Sequence, residues 1–185
     1  MYRTKTSRLS VRQIVKQTWH TQALIAYMLL VGGHGAEHII QIIQAFVLNW
    51  ARADSGGILG LWFPQLMRSE VLHFTYNLLQ LLGLLLLYGG FTGRAQKWWK
   101  VATLAQGWHF FEHFLLQAQW LTKIYLFGAA KQTSFGELLL ARIELHFVYV
   151  TLVAIPTIMA LIAHFRDTEA DVEDEPVRVA PELTP

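Results

Sequence analysis

The chain has 185 residues, of which 54% are hydrophobic and 15% are charged. A soluble domain of this length needs more charge to cover its surface, so the composition argues against a soluble protein. The net charge is only +2, and the basic residues do not follow one face, so we expect no nucleic-acid partner. The absence of cysteine excludes disulfides, thiolate metal sites and a cysteine nucleophile.

Four apolar stretches are each long enough to approach the roughly 20 residues that cross a bilayer. They are Thr21–Leu48, Val71–Tyr88, Val101–Leu121 and Leu138–His164. Each is expected to be a helix, because a helix satisfies its own backbone hydrogen bonds in lipid. The sequence therefore predicts an all-α integral membrane protein, a four-transmembrane-helix up-down bundle.

Basic residues cluster before the first stretch and between the second and the third. They are Arg3, Lys5, Arg8, Arg12, Lys16, Arg94, Lys97 and Lys100. By the positive-inside rule, this distribution predicts a multi-pass protein of the cell membrane with both termini in the cytoplasm. Tryptophans near the ends of the stretches, Trp99 among them, are expected to lie in an interfacial aromatic belt.

These features divide the chain into four segments. Residues 1–17 are a basic cytoplasmic segment, and residues 18–93 and 94–165 are two membrane units of two helices each. Residues 166–185 are acidic and contain prolines, so we expect a disordered cytoplasmic tail there.

The two membrane units repeat the same motifs in the same order. The sequence HGAEH at 34–38 matches HFFEH at 109–113, and LHFTY at 72–76 matches LHFVY at 145–149. The repeat predicts two tandem helical hairpins related by a pseudo-twofold axis along the membrane normal.

Each His-x-x-Glu-His motif places three polar side chains on one helix face, because residues i, i+3 and i+4 are neighbours. The histidine of each Leu-His-Phe-x-Tyr motif is expected to face them from the adjacent helix. Imidazole and carboxylate groups on facing helices suit iron, copper or zinc, in one dinuclear centre or in one site per hairpin. The predicted ligands are His34, Glu37, His38, His73, His109, Glu112, His113 and His146.

Two pairs of polar residues accompany these ligands. Gln44 and Gln119 align with each other and are expected to orient ligating histidines. Glu70 and Glu144 each follow an arginine by two positions, and neither is counted as a ligand. Two interpretations remain open. The Arg-x-Glu sequences are structural elements near the outer surface, or a local helix bulge places Glu144 relative to His146 as Glu70 is placed relative to His73.

The motif His-x-x-Glu-His resembles that of the inverzincin metallopeptidases, in which both histidines bind zinc and the glutamate is the general base. That resemblance implies zinc at the histidines of 34–38 and of 109–113, with Glu37 and Glu112 as bases. The layout also resembles a ferritin-like di-iron bundle, in which ligands from four helices face inwards. The second resemblance implies an internal metal site, here richer in histidine.

Among the functions that fit these features, we favour a membrane redox protein and leave open whether it is an enzyme. The alternatives are a metal-transport or metal-storage protein, a b-type haem or quinone electron-transfer protein, and a metal-free scaffold held by hydrogen bonds. The expected partners are the lipid bilayer and either a redox partner or a second copy of the chain.

Overall fold

The computed structural model describes the backbone of residues 11–173 and the side chains of residues 18–166. Within these residues every regular element is helical and no strand occurs. The helices are α1 (Val11–Ile42), α2 (Gly57–Trp62), α3 (Pro64–Met67), α4 (Glu70–Leu87), α5 (Gly93–Thr122) and α6 (Arg142–Glu173). A π-helical turn at Ile43–Val47 extends α1, and 3₁₀ turns occupy Tyr88–Gly90, Leu126–Gly128 and Gly136–Leu138.

Three of the four long helices have the length and composition of membrane spans. These spans are Thr18–Val47, Glu70–Gly90 and Arg142–Arg166. The structure thus confirms an all-helical chain with helices suited to a membrane. The remaining long helix, α5, is less apolar because the face that it buries carries Gln106, His109, Glu112, His113 and Gln119. Its crossing of the membrane stays a prediction.

An apolar core fills the end of the bundle near the connection between α4 and α5. Trp99 is fully buried there, stacks on Phe91 with ring centroids 4.0 Å apart, and donates its indole N–H to the Leu84 carbonyl oxygen at 2.8 Å. The prediction that Trp99 lies in an interfacial belt is wrong. Trp99 belongs to the inward stripe of α5, between the buried Ala95 and Ala102.

The two predicted hairpins, α1 with α4 and α5 with α6, are not packed alike. The helices α5 and α6 share the most extensive contact of the bundle, whereas α1 and α4 share a much smaller one. Contact between α1 and α4 includes Gly83, where an added Cβ atom would lie 2.5 Å from the Tyr27 ring, so the helix backbone and the ring touch directly. The smaller contact leaves space elsewhere between these two helices.

The last helix, α6, ends later than the predicted segment boundary. The backbone of α6 continues to Glu173, beyond the predicted start of the tail at residue 166. The sequence between these points lacks proline and glycine, so nothing in it interrupts a helix. The rest of the predicted tail, and residues 1–10 of the predicted basic segment, lie outside the described residues.

We expect Trp99→Ala to destabilise the bundle by about 3–5 kcal/mol, because it removes a fully buried indole and leaves a cavity. Thermal unfolding in detergent measures the change. Trp98→Ala is the matched control, because Trp98 is only partly buried and packs against the outside of the same core. Equal melting temperatures for the two variants would contradict the central position of Trp99.

Candidate metal centre

Six imidazole rings from four helices form one connected cluster inside the bundle. The rings belong to His34 and His38 on α1, His73 on α4, His109 and His113 on α5, and His146 on α6. Ring centroids are 5.3 Å apart for His38 and His146, and 5.7 Å apart for His73 and His113. Both of these contacts join one hairpin to the other, so the predicted histidines of the two units meet in one place.

Three of these rings converge closely enough to hold one metal ion. The Nε2 atoms of His109 and His113 are 3.2 Å apart, and those of His113 and His146 are also 3.2 Å apart. One ring nitrogen from each residue lies within 4.8 Å of the others, and all three side chains are buried. A tetrahedral ion with metal–nitrogen bonds of about 2.0–2.1 Å holds its ligands about 3.3–3.4 Å apart. Two of the three nitrogen–nitrogen distances therefore nearly match the spacing that such an ion requires, and the third pair lies within 4.8 Å.

Backbone carbonyl groups fix the tautomer of the histidines on α4 and α6. The Nδ1 atom of His146 lies 2.7 Å from the Arg142 carbonyl oxygen, and that of His73 lies 2.9 Å from the Ser69 carbonyl oxygen. A carbonyl oxygen only accepts hydrogen bonds, so each Nδ1 carries the proton. The Nε2 atom of each neutral ring then keeps its lone pair, which is the form that binds a metal.

Hydrogen bonds alone leave the triad poorly satisfied. His113 Nε2 contacts two other Nε2 atoms, and the one on His146 already holds a lone pair. A single proton at His113 Nε2 cannot make two linear hydrogen bonds, whereas a cation accepts all three lone pairs at once. The donor set therefore fits a transition metal.

The corresponding histidines of the first hairpin do not close into a second triad. His34 and His38 approach each other, with Nε2 atoms 3.1 Å apart, and His38 Nδ1 donates to Gln41 Oε1 at 2.9 Å. Among the described residues, only the set His109, His113 and His146 has three potential ligand atoms in mutual reach. The smaller contact between α1 and α4 explains why His73 does not complete a matching set.

Both predicted glutamate ligands contact loop backbone in this structure. Glu37 accepts the Ile58 N–H at 2.7 Å and also the Leu59 N–H, at the start of α2. Glu112 accepts the Gly136 N–H with both oxygens at 3.1 Å. The prediction that these carboxylates bind the metal stays a prediction. Their observed contacts indicate instead that they hold the two connecting loops against the bundle.

Gly57 allows this contact in the first loop. Its φ angle is +74°, and an added Cβ atom would lie 2.3 Å from Glu37 Oε2. Any side chain at this position would therefore displace the carboxylate or the loop.

The two aligned glutamines reinforce the same loops. Gln44 accepts the Gly57 N–H at 2.8 Å and donates to the Gly57 carbonyl oxygen at 3.3 Å. Gln119 accepts the Leu126 N–H at 3.0 Å and donates to the Thr133 carbonyl oxygen at 2.8 Å. The prediction that these glutamines orient ligating histidines is wrong for this structure. The missing information was the loop conformation, which the helical spacing does not contain.

An ion pair between a partly exposed arginine and a buried glutamate joins the two hairpins beside the histidines. Arg142 donates to Glu70 at 2.7 Å and to Glu137 at 2.6 Å, and Glu70 is buried. Glu144 pairs with Arg52 of the first loop, with Arg52 Nε at 2.9 Å. Glu70 and Glu144, which were not counted as ligands, therefore have a structural role. Each forms an ion pair with an arginine of the opposite hairpin. The Arg142 carbonyl oxygen also accepts the Nδ1–H of His146, so one residue contacts both the glutamates and a member of the triad.

A cavity of about 610 Å³ connects the first loop with the histidine cluster. Its lining includes His38, His73 and His146, together with Arg52 and Arg142. One member of the triad is thus within reach of small molecules from the loop side of the bundle.

Comparison of the chain with protein-family models, curated proteins and solved structures found no match.

We expect Glu37→Ala to loosen the loop that contains α2, because two backbone N–H groups lose their acceptor. A lost cap of this kind costs about 1 kcal/mol, which corresponds to roughly fivefold faster proteolysis of residues 57–62. Limited proteolysis measures the rate, and Glu37→Gln is the control because its amide retains one acceptor oxygen.

Metal content of the same two variants separates the loop role from the ligand role. If Glu37 acts on the loop alone, both variants keep the metal of the unaltered protein. Loss of metal together with an unchanged proteolysis rate would show that Glu37 is a ligand.

Proposed function

We propose that the protein is an integral membrane metalloprotein that binds one transition-metal ion at His109, His113 and His146 and uses it for redox chemistry. The observation that carries the proposal is the convergence of three buried imidazole nitrogens from two helices. Burying this many imidazoles without a partner is costly in a membrane, and a metal ion offsets that cost.

The arrangement supports a reactive site more than a structural one. A structural zinc site is closed by four protein ligands, whereas a catalytic site keeps a position open. Here the triad supplies three ligands, and His146 also lines the 610 Å³ cavity. A small reactant or water would reach the metal through that cavity. Imidazole ligands suit iron, copper and zinc, and only the first two support redox chemistry.

The contacts of the glutamates weigh against peptide hydrolysis. The resemblance to inverzincins requires a glutamate that is free to act as a general base. Glu112, next to the triad in sequence, has both oxygens within 3.1 Å of the Gly136 nitrogen. Redox chemistry needs no such base, but it requires an electron partner in the membrane or at its surface.

We further infer that α5 crosses the membrane with the other three long helices, which makes a four-span bundle of two tandem hairpins. Support comes from the outward side of α5, where Val101, Leu104 and Leu121 are exposed, as lipid-facing residues would be. Matching contacts in the two hairpins support the repeat, since His34 stacks on Tyr76 and His109 on Tyr149. The distribution of basic residues supports two cytoplasmic termini in the cell membrane.

We expect His113→Ala and His146→Ala each to lose the bound metal, because two remaining imidazoles hold an ion far less tightly than three. Elemental analysis of untagged protein in detergent, with an optical spectrum, measures the content. His34→Ala and His20→Ala are the controls, since neither residue belongs to the triad.

One equivalent of iron or copper, lost only in the triad variants, would support the proposal. Zinc would remove the redox assignment and leave the metal site. Unchanged metal content in both triad variants would contradict the site itself.

The orientation is tested by single cysteines, because the natural chain has none. We expect Ala53→Cys and Ala130→Cys to react with a membrane-impermeant maleimide from outside intact cells. Thr92→Cys should react only after the membrane is opened. All three positions are exposed in the structure. Labelling of Thr92→Cys from outside would reverse the proposed orientation.

A further inference from the structure

The two hairpins differ at two positions beside their matched histidines. When His34 is aligned with His109, Gly33 corresponds to Trp108 and Ala36 corresponds to Phe111. Two small residues on α1 thus stand where α5 has two large aromatic residues. The repeat keeps its histidines and changes the space next to them.

In the second hairpin these two aromatic side chains are partly exposed and cover the surface at the matching positions. Trp108 donates its indole N–H to the Tyr149 hydroxyl oxygen at 3.0 Å, and Tyr149 stacks on His109. The rings of Trp108 and Phe111 also contact each other, with centroids 5.6 Å apart. The second hairpin therefore carries two aromatic rings on the surface where the first carries Gly33 and Ala36.

In the first hairpin the same region is a cavity of about 390 Å³ between α1 and α4. Gly33 and Ala36 line it, and an added Cβ atom at Gly33 would meet no atom within 4 Å. Both residues are exposed, so the cavity opens on the outer surface of the bundle. Because α1 and α4 belong to two of the membrane-suited spans, that surface faces lipid in a membrane.

The cavity is apolar except for a few polar groups on its wall. Eight of the fourteen lining residues carry no polar side-chain group, and the six polar groups belong to Glu37, His34, His38, His73, Tyr76 and Gln41. Glu37 already accepts hydrogen bonds from loop amides, and the Tyr76 hydroxyl donates to the Leu30 carbonyl oxygen. Three lining histidines lie outside the triad, and both ring nitrogens of His38 already have partners in Gln41 and His34. The ring nitrogens of His34 and His73 that have no such partner therefore determine what the cavity can recognise.

Both histidines offer the cavity a hydrogen-bond acceptor. His38 Nδ1 donates to Gln41 Oε1, so His38 Nε2 holds a lone pair and His34 Nε2 donates to it. The remaining nitrogen of neutral His34, Nδ1, is then an acceptor. The remaining nitrogen of His73, Nε2, is also an acceptor, because Nδ1 donates to the Ser69 carbonyl oxygen.

We propose that this cavity binds the ring of a lipophilic quinol drawn from the bilayer. A quinol hydroxyl donates to an imidazole nitrogen and also accepts a hydrogen bond, which Gln41 Nε2 can provide. The wall also contains two flat rings, those of His34 and Tyr76, which stack with centroids 4.2 Å apart. A quinol ring is flat and aromatic and can pack against them. This inference rests on the proposed function, since the quinol would be bound beside the proposed metal centre.

Other occupants fit the wall less well. A lipid acyl chain has no donor and would leave two imidazole nitrogens without a partner. A quinone has only carbonyl acceptors, which cannot bond the two imidazole acceptors. His73 lies against His113 of the triad, with ring centroids 5.7 Å apart, so an occupant bonded to His73 would be one imidazole away from the metal.

The test compares two ligands of similar shape and two matched variants. We would titrate detergent-solubilised protein under argon with an alkyl hydroquinone and with its dimethyl ether, which keeps the shape but has no O–H. Calorimetry measures the two affinities. We expect the ether to bind at least about tenfold more weakly, because it leaves the acceptors unpaired.

Gly33→Trp reproduces the second hairpin and is expected to abolish saturable hydroquinone binding while metal content and thermal stability are retained. Gly32→Trp is the control, since it makes the same change one residue earlier. Gly32 is exposed, has nothing within 4 Å of an added Cβ atom, and does not line the cavity. This control should bind hydroquinone normally.

Equal binding of hydroquinone and ether would show a non-specific apolar cavity, and normal binding by Gly33→Trp would show a different location. Either result overturns the proposal. It is also overturned if the unaltered protein binds phospholipid in the cavity and does not bind hydroquinone. Metal without hydroquinone binding would overturn this proposal alone. Hydroquinone binding that responds to Gly33→Trp in a protein without metal would support the quinol site and overturn the proposed function alone.

Discussion

The need to satisfy buried polar side chains governs this structure. The bundle, three of whose long helices are suited to a membrane, buries imidazoles, amides and carboxylates that each need a hydrogen-bond partner or a charge partner. Most of them find partners in the protein: Gln106 donates to Asn77, Glu70 pairs with Arg142, and His146 donates to a backbone carbonyl group. The three Nε2 atoms at the centre do not satisfy one another, and a metal ion is the partner that suits all of them.

The loops are part of the same design. Glu37 and Gln44 hold the first loop, and Glu112 and Gln119 hold the second, each through backbone groups. The motif on each helix therefore serves two purposes. Its histidines face the centre of the bundle, and its glutamate, together with the glutamine further along, fixes the loop above it. Because Arg52 of the first loop also pairs with Glu144 on α6, the loop and the opposite hairpin are joined.

Spacing along the chain predicted the helices and the meeting of the histidines, but it did not predict their partners. The i, i+4 pairs at His34 and His38 and at His109 and His113 approach each other as helical geometry requires. The misassigned Gln44 and Gln119 depend on loop conformations that no periodicity encodes. Trp99 was misplaced because a tryptophan near a helix end fits both an interface and a core, and only packing separates the two. The alignment of the two motifs already pairs the small Gly33 with the large Trp108. Only the structure shows that this difference accompanies a cavity in the first hairpin.

The most direct test of the account is X-ray absorption at the edge of the first-row metal that copurifies with the protein. Extended fine structure reports the number and type of ligand atoms without any substitution. The account predicts three imidazole nitrogens at about 2.0–2.1 Å, with at most one or two light-atom ligands completing the shell. A shell dominated by carboxylate oxygens, or one that contains fewer than two imidazoles, would contradict the assignment of His109, His113 and His146 as the metal site.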